Sequence, residues 1–343
     1  MPVIGKSVEG IIFKQDTMPQ PITPPVGLFG KLPSHPDFVR MNAGAPLARS
    51  LDVWMQEGLS QMRVLIGETW EAAFDSAPPL YFAYRDKDPS EALVGVCRPG
   101  RDQTGRRYPF SIFAHFHLGR GGGAFHALPA GCARFLKAAR RFALVDCADG
   151  IDNQRAASII NLSSILPQNI VEFRSSLDRY LNDITMESFF RGLYPDFHDH
   201  RKYLVMKNLF TALAPRRGQD PMRLGFTLQL PTTGDFDAVL AQSAIWYLLC
   251  QAVLGEGSLT QSVMFWYADD TEARGCYMFF HPPAPASLTY LMAPHTDNGK
   301  LWKLETLGAN KAEEARAQLG GQLAAAIDTP HNTMRDFIKA LGA

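Results

Sequence analysis

Net charge, a disulfide framework and a long apolar run are all missing from this chain of 343 residues. Its 34 Lys and Arg offset 34 Asp and Glu, and neither half strays far from neutrality, so the basic footprint that polyanion binding needs is absent. Nucleic acid is not an expected partner. The five cysteines (Cys97, Cys132, Cys147, Cys250, Cys276) are odd in number and contain no C-x-x-C pair. That excludes a stapled scaffold and the common zinc-ligand spacings. The apolar, uncharged stretch 238–255 falls short of the ~20 apolar residues of a membrane span and is interrupted by Gln242, Ser243 and Gln251. It reads as a buried helix. The first 25 residues lack the continuous apolar core of a signal peptide. These absences predict a reduced, cytoplasmic protein without membrane insertion, cofactor or structural metal.

What is present is ordinary globular material: 46% hydrophobic and 20% charged residues are enough to build one large core or two smaller ones. The clearest helix carries Leu51, Trp54, Met55, Gly58, Leu59, Met62, Leu65 and Ile66 on one stripe, with Pro46 in its first turn. Strand patterns fall at 10–14, 26–30, 80–85, 92–98, 107–118, 222–230, 262–267 and 275–281. The last two flank the turn ADDTEAR. Helical patterns fall at 127–144, 152–166, 171–193, 204–213, 236–254, 309–327 and 330–341, the last opening with Thr329 as N-cap and Pro330 at the first helical position. Strands interleaved with helices predict an α/β fold, a sheet covered on both faces, with a largely helical middle segment. The expected parts are an irregular opening (1–25), a first half (26–126), a helical insertion or linker (127–221) and a second half (222–343).

Two loops hold the densest chemistry. GLFGKLPSHPDF (27–38) follows a strand with two glycines and a lysine, but lacks the spacing and the Ser/Thr of a phosphate-cradling loop. Gly30 permits unusual backbone geometry, and Asp37 can bind nearby amides. The segment is either a structural connection or a recognition surface. RPGRDQTGRRYP (98–109) places four arginines around Asp102, which suits carboxylate or phosphate recognition or a local ion pair, with a neighbouring Arg or with Lys31 if the loops meet. Among enzyme-like features, His198 and His200 are the best metal candidates, because i, i+2 histidines converge on a loop or strand, but no third ligand accompanies them. His115 and His117 share one strand face. Ser111 lacks a nucleophile elbow, GRGGG (119–123) lacks dinucleotide-loop spacing, and Arg134, Lys137, Arg140 and Arg141 form a solvated helical face.

Read in order, F-G-K-L-P-S-x-x-D-F (Phe29, Gly30, Lys31, Leu32 and Pro33 through Asp37 and Phe38), W-M-Q-E-G-L from Trp54, G-E-T-W ending at Trp70, A-P-P-L (77–80), G-V (95–96) and R-D-Q-T-G-R-R-Y-P-F (Arg101, Asp102, Gly105, Arg106, Tyr108, Pro109) resemble the TagF/ImpM family of type VI secretion-associated proteins. A looser likeness continues in L-P (230–231) and M-F-W-Y (264–267). The chain departs from the family pattern at Pro36, where glycine is usual, at Thr104, where an apolar residue is usual, and at 281–288, where a G-L-P turn is missing. The resemblance implies a three-layer α/β/α sandwich with a mixed sheet, and a non-catalytic cytoplasmic accessory protein that restrains secretion assembly after translation, through a scaffold carrying a forkhead-associated domain. It marks the motif residues as fold-defining or partner-binding. The alternatives are a structural subunit of the assembly and a metal-dependent hydrolase using His198 and His200. The two dense loops are expected to lie side by side.

Overall fold

The computed structural model describes residues 25–119, 122–167, 170–267, 275–294, 296, 299–306 and 308–342. The strand expected at 10–14 and the turn at 268–274 lie outside them. Nine strands, β1 (Val26–Gly30), β2 (Val39–Met41), β3 (Leu80–Tyr84), β4 (Glu91–Arg98), β5 (Phe110–His117), β6 (Thr227–Leu230), β7 (Val263–Tyr267), β8 (Cys276–Phe279) and β9 (Leu301–Lys303), form one sheet ordered β2-β1-β5-β4-β3-β7-β8-β6-β9. Every pair is antiparallel except β6 with β9. The β3–β7 register, Leu80 opposite Tyr267 and Phe82 opposite Phe265, carries the sheet across the two halves of the sequence.

Period-2 alternation sorts these strands onto two apolar faces. Leu80, Phe82, Tyr84, Phe265 and Tyr267 point one way, against α1 (Pro46–Ile66), α2 (Trp70–Asp75) and α10 (Ser287–Met292). Tyr81, Ala83, Met264 and Trp266 point the other way. That second face is covered by a larger layer: α3 (Leu128–Gly131), α4 (Ala133–Arg141), α5 (Asn153–Asn161), α6 (Ile170–Asp183), α7 (Met186–Leu193), α8 (Arg201–Leu213), α9 (Phe236–Leu254), α11 (Ala312–Gln318), α12 (Gly321–Asp328) and α13 (Met334–Gly342). Burial on both faces explains why these strands read as continuous apolar runs. The result is the α/β sheet covered on both faces that the interleaved pattern predicted, in the three-layer α/β/α form with a mixed sheet that the resemblance implied. Helix α9 is long and apolar enough to cross a membrane, and 67% of that stretch is buried inside the fold. All five cysteines are buried and free.

Local differences from the sequence reading have local causes. The helix expected at 171–193 is two helices, because Thr185 caps α7 by accepting the Ser188 amide while the Ser188 hydroxyl takes the Thr185 amide, a reciprocal box that starts a new helix. The stretch 309–327 breaks at Gly320, whose φ is +77°. Thr329 and Pro330 do not open the last helix. Thr329 instead returns its hydroxyl to Ala325 O, and Thr333 caps α13 by exchanging bonds with Asp336. Residues 222–226 stay outside β6, Asp220 capping a short turn at Pro221–Arg223. β5 begins only at Phe110, Arg107 being held in a bridge to Arg101. Helix α8 starts at Arg201, three residues before its expected start.

Candidate functional site

Loop 31–38 joins β1 to β2, and loop 99–109 joins β4 to β5. Since β1 pairs with β5, both loops emerge at the same end of the sheet. Glycines let the two backbones touch. A Cβ on Gly30 would lie 2.2 Å from Pro109 O, and its φ of +137° already favours glycine. A Cβ on Gly100 would lie 2.5 Å from Lys31 O.

Asp102 locks the pair. Its side chain is fully buried, and Lys31 Nζ reaches Oδ2 at 2.5 Å with Arg106 Nε on the same oxygen at 2.7 Å. The Thr104 amide and hydroxyl donate to Oδ1 at 3.0 and 2.8 Å, and the Arg106 amide at 2.9 Å. Thr104, the departure from the family pattern, thus serves as a donor to the carboxylate. Burial alone would raise the carboxyl's pKa, but the bonds from Lys31, Thr104 and Arg106 outweigh it and hold the group well below the usual carboxylate range. Arg106 also spans the gap, donating to Pro36 O at 2.8 Å, while the Gln103 amide donates to His35 O at 2.9 Å.

Beneath this lock lies an aromatic floor. Phe38 stacks on Phe29 at 6.3 Å and meets the edge of Tyr108 at 5.1 Å. Tyr108 donates its hydroxyl to Asp52 O and Oδ1 on α1, at 2.8 and 2.5 Å. Arg40 adds a bond to Asp52 Oδ2 at 2.6 Å and sits 5.4 Å from the Phe38 ring. Asp52 and Arg40 carry little signal in the sequence: a polar residue abutting the apolar stripe at Leu51 is all that marks Asp52. On the far side, the Ser34 amide donates to Asp149 O at 2.8 Å and the Ile151 amide to His35 Nε2 at 3.1 Å, tying the loop to the helical layer. The outward residues are polar: Asp37 is 87% exposed and Arg106 58%, with Arg101, Gln103 and Thr104 beside them.

The profile of the TagF N-terminal domain, type VI secretion system-associated, matches residues 27–161. The chain carries a TagF domain. The match runs from β1 through α5 and contains both loops of the lock. No curated protein matches the chain in sequence. Among solved structures, the chain is similar to the crystal structure of PA0076 from Pseudomonas aeruginosa PAO1, at 17% identity and a TM-score of 0.43, over 80% of this chain and 96% of that one.

Not every motif residue of the TagF domain sits in the lock. Trp54 is a core side chain, stacked on Phe265 at 5.4 Å with its N–H on Ala284 O at 3.3 Å. Phe29 and Leu32 are buried as well. Trp70 stands apart on α2, covered by Arg63 at 4.5 Å, while Arg107 pairs with Asp75 and Glu71 nearby. Lys31, Asp102, Gly105, Arg106, Phe38, Tyr108 and Pro109 come together, with Pro33, Asp37 and Arg101 at their margin.

The enzyme-like candidates lie elsewhere. His198 and His200 border an open depression with Asp196, Asp199 and Glu313, where Asp199 is taken by Arg201 at 2.8 Å. Among the described residues, no three His, Cys, Asp or Glu side chains are grouped to hold a metal ion. His115 and His117 stack at 5.3 Å and share Glu91, at 3.2 and 3.4 Å. Ser111 is buried and donates to Met55 Sδ. Lys137 of the basic helical face pairs with Asp237 at 2.7 Å.

Proposed function

We propose that this protein is a non-catalytic, cytoplasmic accessory of a type VI secretion system, restraining assembly after translation by binding the scaffold that carries a forkhead-associated domain. The TagF domain supports the secretion context. The observation that carries the mode of action is the Asp102 lock, which fixes two loops and presents Asp37, Arg101, Gln103 and Arg106 outward on a rigid support. A preorganised rim of mixed charge sets partner choice and association rate, and fixing it beforehand lowers the ordering cost of binding.

In this reading Phe29, Gly30, Leu32, Trp54 and Trp70 shape the support, while Lys31, Phe38, Asp102, Gly105, Tyr108 and Pro109 hold the rim. Residues 127–221 act as a helical insertion or linker between 26–126 and 222–343. Affinity purification of the tagged protein from cells with an active type VI system tests the proposal. Recovery of the scaffold is the expected result, and its absence together with every other secretion component overturns the reading. Co-purification at fixed stoichiometry with the assembled apparatus would replace it with a structural-subunit role.

A further inference from the structure

At the opposite end of the sheet, Arg85 follows the last residue of β3 and is completely buried. Its Nη2 donates to Leu259 O at 2.6 Å, Ser262 Oγ at 3.0 Å and Tyr247 Oη at 3.2 Å, and its Nε to Ser262 O at 3.3 Å. Phe125 lies against the guanidinium, 3.6 Å from carbon to ring centroid. All these partners are neutral, and among the described residues no carboxylate pairs with it. Buried charges are ordinarily paired. The least satisfied edge is Nη1, which carries two N–H groups and has one long bond, 3.4 Å, to Gly122 O.

Arg85 lines a chamber of about 130 Å³ with Gly122, Gly123, His126, Tyr247 and Gln251. Gly122 and Gly123 close the run GRGGG, for which the secretion reading has no use. A Cβ on Gly122 would lie 2.6 Å from Arg85 Nη1 and 2.3 Å from Pro89 O, at φ +61°, so only glycine brings the backbone this close. His126 and Gln251 also border a wider cavity of about 620 Å³. Its mouth holds the cations Arg174 and Lys339, and its acids are Glu256 and an Asp178 already paired with Arg335 at 2.9 Å. Leu248, Ala252 and Ile338 give it an apolar wall.

We propose that this chamber binds the oxyanion group of a small organic acid or phosphate ester, with Arg85 and His126 facing the anion, Arg174 at the entrance and the apolar wall taking the ligand's body. The inference does not rest on the secretion reading. His126 is its reporter. Burial, and then the positive charge of Arg174, with a smaller contribution from Arg85, lower its pKa to about 4 against the pull of Asp178. An anion seated between these cations would push it back up, so binding tightens as pH falls.

The test is histidine-detected NMR of the full chain with inorganic phosphate as the probe, against chloride at equal ionic strength and with succinate as the carboxylate arm. The His126 resonance is assigned by His126→Gln. The expected result is a saturable shift with phosphate or succinate, whichever arm responds naming the source, and a rise of about one pKa unit or more, a tenfold coupling. Arg85→Gln should abolish it. Because that variant removes buried bonds, Arg174→Glu at the exposed mouth serves beside it and should weaken the response at least tenfold. No saturable shift with either anion, or an unchanged response in Arg174→Glu, overturns the proposal.

Discussion

The two ends of this sheet each bury a charge, and they treat it differently. At one end Asp102 meets Lys31 and Arg106 and receives further bonds from Thr104, so the charge is compensated and two loops are pinned. At the other end Arg85 is surrounded by carbonyls, hydroxyls and an aromatic ring beside an open chamber. A compensated buried charge fastens structure. One met only by neutral dipoles retains affinity for an anion. The contrast assigns the first end to shape and the second to ligand.

The largest effect expected is at the compensated end. Asp102→Ala strands Lys31, and breaking a buried pair from one side costs about 3–5 kcal/mol, read as a lower urea midpoint. The paired replacement Lys31→Met/Asp102→Leu should recover much of that loss in a double-mutant cycle. Additive losses would show that the pair is not the fastening. Arg85→Met comes next, at about 1–3 kcal/mol for the carbonyls it leaves unpaired, and phosphate should no longer raise the melting temperature of that variant.

Acid separates the two ends by pH window. His126 has its folded pKa lowered from 6.5 to about 4, so the unfolded chain takes up the proton first. Stability therefore falls as pH drops from about 6.5 to 4, and His126→Gln should flatten that limb. Asp102 has its pKa depressed below 3.8, so its contribution is present above that value and is lost only as pH falls below it. Asp102→Asn should flatten the lower limb alone. Equilibrium denaturation at stepped pH reads both. The smallest effect is Thr104→Ala, which removes one hydroxyl bond to Asp102 and should cost about 1 kcal/mol.

The sequence made the compensated end legible and the other nearly invisible. Gly30, Lys31 and Asp102 stand in dense motifs, and strand patterns at 26–30 and 107–118 sufficed to bring their loops together once β1 paired with β5. Arg85 offered only a charged residue closing an apolar strand, because its partners at 122, 247, 259 and 262 are remote in sequence and mostly backbone. Of the fold, the central strands β3, β4, β7 and β8 were readable from runs buried on both faces. The edge strands β2 and β9 were not, since three residues carry no period. The break at Thr185 depended on a side-chain box that a helical stripe conceals. Trp54 and Trp70, equal as motif residues, part company in the fold, one in the core and one on α2.

Reversing charges at each end separately, and measuring both activities on both variants, tests the division most directly. Asp37→Arg/Arg101→Glu alters the rim without touching the Asp102 carboxylate, and Arg174→Glu alters the chamber mouth. The account predicts that the rim variant loses recovery of the secretion scaffold while keeping the phosphate-dependent His126 shift, and that the chamber variant does the reverse. A rim variant that recovers the scaffold as well as the unaltered protein does would contradict it.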